Sequence, residues 1–217
     1  LLHYYKKVSA YRILKDYDLE EQPELKWCRN LLSSSGEMLD VGANIGLYTC
    51  YLADHTGRVI SIEPIPWTFD ILKYNIRKFG LKNVTTVNDG ISNSAGTASF
   101  EIPVSDSGGR NYYRAHMNAA ASEGIEVQLD TIDGLTARLD LRNIELIKID
   151  VEGHEWEVIQ GAAHTLANDN PAFLIEVDGD PDNEQSDAGQ LFHYLHDFGY
   201  EAYYIKGEEL KKREKGE

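Results

Sequence analysis

No apolar run in this sequence approaches the roughly 20 residues that span a bilayer, and the opening LLHYYKKVSAYRILKDYDLEE lacks an apolar core of the secretory type. Both absences make the cytoplasm the expected address. Cysteine is scarce. Cys28 and Cys50 are the only two, their spacing fits neither a metal site nor a disulfide framework, and they read as buried thiols in a reducing compartment. Basic residues are in deficit, with 21 Lys and Arg against 36 Asp and Glu, a formal net charge of −15. A field of that sign repels phosphates and anionic headgroups, so neither nucleic acid nor a membrane is an expected partner.

What is present is enough chain for one domain with a full core: 217 residues suit a single α/β unit and are too few for two comfortable ones. The first residue is Leu rather than Met, and the ending ELKKREKGE is charged and patternless, which fits a piece trimmed from something longer. Periodicity and breakers give a repeated rhythm of strand, turn and helix. After a helical lead near residues 24–32, EMLDVG (37–42) reads as a buried strand and 45–53 as a helix. RVISIEP (58–64) is a second strand stopped by two prolines, residues 69–79 carry helical spacing up to the Gly80 cap, and VTTVND (84–89) is a third strand.

The alternation then breaks. TASFEIP (97–103) and IEVQLDTI (125–132) read as two further strands around a polar loop, residues 104–124, placed to cover a site. ELIKID (145–150) and AFLIEVD (172–178) are nearly continuous apolar strands, as in a parallel sheet covered on both faces, with a crossover helix at 155–167 between them. A helix near 188–198 and a strand in YEAYYI complete the chain. The expected fold is therefore α/β: a Rossmann-like, doubly wound, mostly parallel sheet with helices on both faces and a β insertion between the third and fourth core strands. The expected divisions are a helical lead (1–36), one α/β domain (37–206) and a charged tail (207–217).

The sharpest local signal is Asp40-Val41-Gly42-Ala43-Asn44-Ile45-Gly46, where a strand turns into a helix. Ligands of open α/β sheets bind beyond the carboxyl ends of the strands, and glycines there let a ligand reach the backbone. Glu63 closes the second strand 23 residues after Asp40, the place of a carboxylate that accepts from both hydroxyls of a ribose. Asp89, with Gly90 and Ile91 after it, ends the third strand where an adenine amino group would find an acceptor, although an Asp before Gly also simply makes a turn. GANIG lacks the closely spaced first pair and the third glycine of the dinucleotide fingerprint. That weakens a nicotinamide oxidoreductase without removing it. Tyr74 and Lys78 form a YxxxK spacing, but on the helix after the second strand, away from the catalytic edge.

A second constellation lies in IKIDVEGHE. Asp150 closes a central strand and is expected to face the same crevice as Gly42. Lys148 stands inside an apolar strand and needs a partner, for which Asp40 and Glu176 are candidates; a paired core charge and a substrate contact are equally open for it. His154 titrates near neutral pH and suits a general base acting on a hydroxyl. Asp150 and Glu152, with Asp178, have hard oxygens of the kind that hold magnesium or calcium, but strand alternation argues against their convergence, so a divalent metal is not favoured. Arg110, Asn111, Tyr112, Tyr113 and His116 in the polar loop offer donors and aromatic faces for a polar ring substrate.

LDVGANIGLYT, ISIEPIPWTFDILKYNI, VQLDTID, LIKIDVEGHEWEVIQGA, FLIEVD and FGY together resemble the FkbM-type methyltransferase family, over residues 37–200. The resemblance implies an S-adenosylmethionine-dependent enzyme that methylates a hydroxyl of a sugar, glycan or related natural product, with a small molecule or glycan as its partner. By position, Asp40, Gly42, Asn44 and Gly46 would shape the methionine end of the cofactor pocket, Glu63 would bind the ribose, and residues 89–92 would face the adenine. Asp150, Glu152 and His154 would stand at the acceptor. The family's fold usually closes with one more strand after the one containing Tyr203, which the charged ending does not suggest. A cofactor-binding module of the same fold without catalysis is the remaining alternative, and nothing in the sequence fixes the oligomeric state.

Overall fold

The computed structural model describes residues 2–17, 22–103, 115–117, 124–207 and 209–216. The elements run α1 (Leu2–Lys15), α2 (Pro23–Asn30), β1 (Glu37–Val41), α3 (Leu47–Leu52), β2 (Arg58–Ile62), α4 (Pro66–Phe79), β3 (Val84–Val87), β4 (Gly90–Ile91), β5 (Gly96–Glu101) and β6 (His116–Met117). They continue β7 (Ile125–Asp130), α5 (Ile132–Leu139), β8 (Ile144–Ile149), α6 (Glu155–Gln160), α7 (Ala163–Asn168), β9 (Ala172–Ile175), α8 (Asp187–Asp197), β10 (Tyr203–Lys206) and β11 (Glu209–Lys212).

The central sheet has the order β3-β2-β1-β8-β9 and is parallel throughout. Alternation along β1 and β8 sends its side chains to two different cores. Leu39, Val41, Ile60, Ile62, Ile147 and Ile149 pack with α5, α6, α7 and α8 through Leu135, Val158, Ile159, Leu166 and Leu191. Met38 and Leu146 pack on the opposite face against Leu25, Cys28 and Leu52 of α2 and α3. Cys28 and Cys50 are both free and buried, and burial pushes each thiol up to about 12.

The expected insertion is a separate four-stranded sheet of order β4-β7-β5-β6, placed in sequence between β3 and β8. The expected loop at 104–124 falls outside the described residues apart from residues 115–117 and 124.

Four boundaries differ from the sequence reading, each for a local reason. Helix α4 starts at Pro66 rather than at residue 69, because a proline's missing N–H costs nothing in the first helical turn. The strand expected through Ile132 ends at Asp130, since Thr131 caps α5 by accepting from the Gly134 N–H at 2.8 Å. The single crossover helix is two short ones broken at Gly161, where a Cβ would come within 2.3 Å of the Ser92 carbonyl. Finally, YEAYYI adds no strand to the central sheet: β10 pairs antiparallel with β11, formed from the ending read as patternless. The N-terminal lead docks on α4, with Lys6 over the Trp67 ring and Tyr11 edge-on to Phe79.

Candidate active site

A row of buried polar residues crosses three strands just below the carboxyl edge. The register pairs Asp40 of β1 with Ser61 of β2 on one side and with Lys148 of β8 on the other. Asp40 is fully buried; its Oδ2 accepts from the Thr49 backbone N–H at 3.0 Å and the Thr49 hydroxyl at 2.6 Å. Thr49 has thereby used its proton, so the Ser61 hydroxyl, 2.6 Å away, donates to it. Lys148 is 4% exposed and donates to the Gly42 carbonyl at 2.9 Å and to Asp150 Oδ2 at 3.2 Å, with Asp40 Oδ1 3.7 Å away and the Tyr48 ring beneath. Of the two partners expected from sequence, Asp40 is present. Glu176 is not; Asp150 takes its place. Lys148 thus sits below the cleft as a strut between strand ends and is absent from the cleft's lining.

Above this row lies a cleft, partly open to solvent. Its lining joins Gly42, Asn44, Glu63, Asp89, Gly90, Ile91, Asp150, Glu152 and His154, which the sequence had placed in a site, to Ile62, Ile65, Phe100 and Met117, which it had not. Asp40 and Gly46 support the turn from below or behind and do not line it. Gly42 has φ +72, and a Cβ there would lie 1.8 Å from the Asp150 carbonyl. The glycine is therefore demanded by the close approach of the β1 and β8 strand ends, not by room for a ligand. Asn44 is also left-handed, with φ 52, and its Oδ1 is buried without a hydrogen-bond partner.

Glu63 is 6% exposed, and its two oxygens accept from the Asn44 and Ile65 backbone N–H groups, each at 3.0 Å. Burial dominates these bonds and pushes its carboxyl up to about 7. Across the cleft, Asp89 is paired with Arg138 at 2.8 Å, which also holds Asp130 at 3.1 Å. The turn after β8 is left-handed at Glu152 and Gly153, φ 55 and 89. Glu155 clamps it: Oε1 accepts from the Gly153 N–H at 3.0 Å and the Val151 N–H at 3.4 Å.

Glu176 stands exposed past the end of β9, outside the lining, its carboxyl held above the usual range first by the charge of Asp150 and then by partial burial and by Glu152 and Asp178. Arg110, Asn111, Tyr112 and Tyr113 lie outside the described residues. His116 pairs with Glu101 at 4.0 Å. Among the described residues, no three His, Cys, Asp or Glu side chains come together as a metal site, and no helix is long and apolar enough to cross a membrane.

A parallel sheet with a cleft over its carboxyl edge, a glycine turn after β1 and a buried acid after β2 defines a Rossmann-like cofactor-binding fold. The model of the methyltransferase FkbM domain matches residues 40–202, and the chain belongs to that family. Among its curated relatives is the hexuronic acid methyltransferase AglP of Haloferax volcanii, 33% identical over 64% of this chain and 54% of that protein. The methyltransferase sdnD of Sordaria araneosa is 27% identical over 60% of this chain and 61% of its own length. The chain thus spans little more than half of either relative. A methyltransferase FkbM structure from Methylobacillus flagellatus superposes with a TM-score of 0.53 at 18% identity, covering 83% of this chain and 43% of that one. An O-methyltransferase of Bacillus cereus in complex with SAH superposes with a TM-score of 0.51 at 11% identity, covering 98% and 88%. At these identities the structural likeness is one of fold.

Proposed function

We propose that this chain binds S-adenosylmethionine in the cleft and transfers its methyl group to a hydroxyl of a sugar, glycan or related small molecule. The observation that carries the reading is Glu63: a buried carboxylate at the end of β2 that opens into the cleft and keeps lone pairs free beyond its two backbone bonds. The residues present fit the cofactor. Glu63 would accept from the ribose hydroxyls, Asn44 Oδ1 offers a buried acceptor still lacking a donor, and Ile62, Ile65, Ile91 and Phe100 supply apolar walls for a purine. Asp89, Gly90 and Ile91 would stand beside the adenine, and Gly42 by the methionine end.

The cofactor supplies a methyl carbon made electrophilic by its bond to a sulfonium sulfur. What the chain supplies is position, exclusion of water and a place for a proton. Asp150, Glu152 and His154 line the part of the cleft nearest β8, where an acceptor hydroxyl would lie against groups able to take its proton. A sugar acceptor is supported by the name of the Haloferax relative, which acts on a hexuronic acid.

Calorimetry on the purified chain tests the reading. S-Adenosylmethionine and S-adenosylhomocysteine are expected to bind at micromolar affinity and NAD not at all, followed by turnover on a panel of hydroxylated sugars. A folded sample that ignores both sulfur ligands would sink the proposal.

A further inference from the structure

His154 is held from two sides. It precedes α6 as its N-cap residue, without capping the helix through its side chain, and both ring nitrogens reach protein groups instead. Ser92 Oγ lies 2.9 Å from Nε2, and Glu157 Oε2 lies 3.3 Å from Nδ1. A neutral imidazole has one proton, and an ionised carboxylate can only accept. The proton therefore belongs on Nδ1, facing Glu157, and the Nε2 lone pair faces Ser92, whose hydroxyl donates to it.

The backbone of Ser92 is fixed without help from His154, which leaves its hydroxyl free to turn. Ser92 is 5% exposed, its N–H donates to the Asp130 carbonyl at 2.9 Å, and its own carbonyl sits against Gly161 with no room for a Cβ. Asn93 ties the same segment to α6 by donating to Gln160 Oε1 at 3.1 Å. The other charged groups around the ring are committed or lie along the cleft: Glu155 to backbone N–H groups, Asp130 of β7 to Arg138, Asp150 to Lys148, and Glu152 in the cleft lining. Glu157 is thus the carboxylate that meets a ring nitrogen.

We infer that Ser92 and Glu157 are positioning residues that hold His154 as its Nδ1–H tautomer, with Nε2 poised as the base toward the acceptor hydroxyl. The inference rests on the methyl-transfer reading above. In the step it serves, the acceptor's O–H bond breaks as its oxygen bonds the methyl carbon. The methyl–sulfur bond breaks with the pair left on sulfur, and the proton passes to Nε2, where the acceptor hydroxyl has taken the place of Ser92. Imidazolium then returns the proton to solvent.

The test is nitrogen NMR of the full chain labelled at histidine, with S-adenosylhomocysteine present, at a pH where the ring is neutral. His154 is expected as the Nδ1–H tautomer. Glu157→Gln, whose amide can donate as well as accept, should give a mixture, and Glu157→Asp should restore the single tautomer. With a competent acceptor, Glu157→Gln should lower kcat by roughly 10- to 100-fold and leave KM unchanged, since only the transition state carries the imidazolium. Ser92→Ala, milder and independent of Glu157, should keep the tautomer and shift only the Nε2 resonance. An Nε2–H tautomer in the unsubstituted protein, or kcat unmoved by Glu157→Gln, overturns the proposal. The expected tautomers without methylation of any acceptor would uphold the positioning and count against the methyl-transfer reading alone.

Discussion

Replacing Glu63 with Ala is expected to weaken S-adenosylmethionine binding by roughly 30- to 100-fold, the loss of about 2–3 kcal/mol from hydrogen bonds to a charged, buried acceptor. The carboxyl also makes binding depend on pH. In the free protein burial raises it to about 7 from 4.5, whereas two ribose hydroxyls donate best to the ionised form. The cofactor should therefore select the carboxylate and expel a proton. Calorimetry in buffers of different ionisation enthalpy should register up to about one proton released per ligand near pH 6, little above pH 8, and tightening affinity between them. For the unliganded protein the sign is opposite. The unfolded chain gives up this proton near 4.5 and the folded one near 7, so the group's contribution to stability is present below that window and lost across it. The loss is at most about 3 kcal/mol by pH 8. A Glu63→Ala variant that binds the cofactor normally, with its melting curve intact, would remove Glu63 from the site.

Lys148→Met should be the most damaging substitution to the fold itself. The side chain is nearly isosteric, but it takes the cation away from Asp40, whose side chain is 1% exposed and whose Oδ1 has no hydrogen bond. Stranding a buried carboxylate costs about 3–5 kcal/mol, which in a chain of this size lowers the melting temperature by roughly 6–20 °C. The cause can be separated from lost packing with a second substitution. Asp40→Asn keeps acceptors for Thr49 and removes the charge, so the double variant should melt well above Lys148→Met alone. Equal melting of the two would trace the loss to the bonds that Lys148 gives the Gly42 carbonyl and Asp150, not to the stranded charge of Asp40. Asp150, the third member, is 35% exposed at its side chain and can turn to water.

Much of this arrangement is legible in the sequence because it depends on local rules. Apolar runs with a single interruption gave the parallel strands, and Lys148 stood out because a cation in such a run requires a buried partner. The turn after β1 and the acid after β2 were visible as spacings. The rest depends on contacts between distant segments. That Gly42 makes way for the Asp150 carbonyl follows only from the register of β1 on β8. Phe100 and Met117 reach the cleft because the insertion folds into its own sheet. Ser92 meets His154 across 62 residues of sequence, a distance that no helical or strand period encodes. The missed α5 had a readable sign in Thr131, a residue that caps helices well.

The C-terminal hairpin has a consequence for the order in which the molecule loosens. Among the described residues β10 and β11 pair only with each other, and every residue of β11 is exposed, so their amides are guarded by one ladder while those of β1 and β8 are guarded by the whole core. Two-stranded ladders are marginal in water. Amide hydrogens of residues 203–207 and 209–212 should therefore exchange with deuterated solvent while those of the central strands hold, the hairpin opening as a unit of its own and leaving the cleft in place.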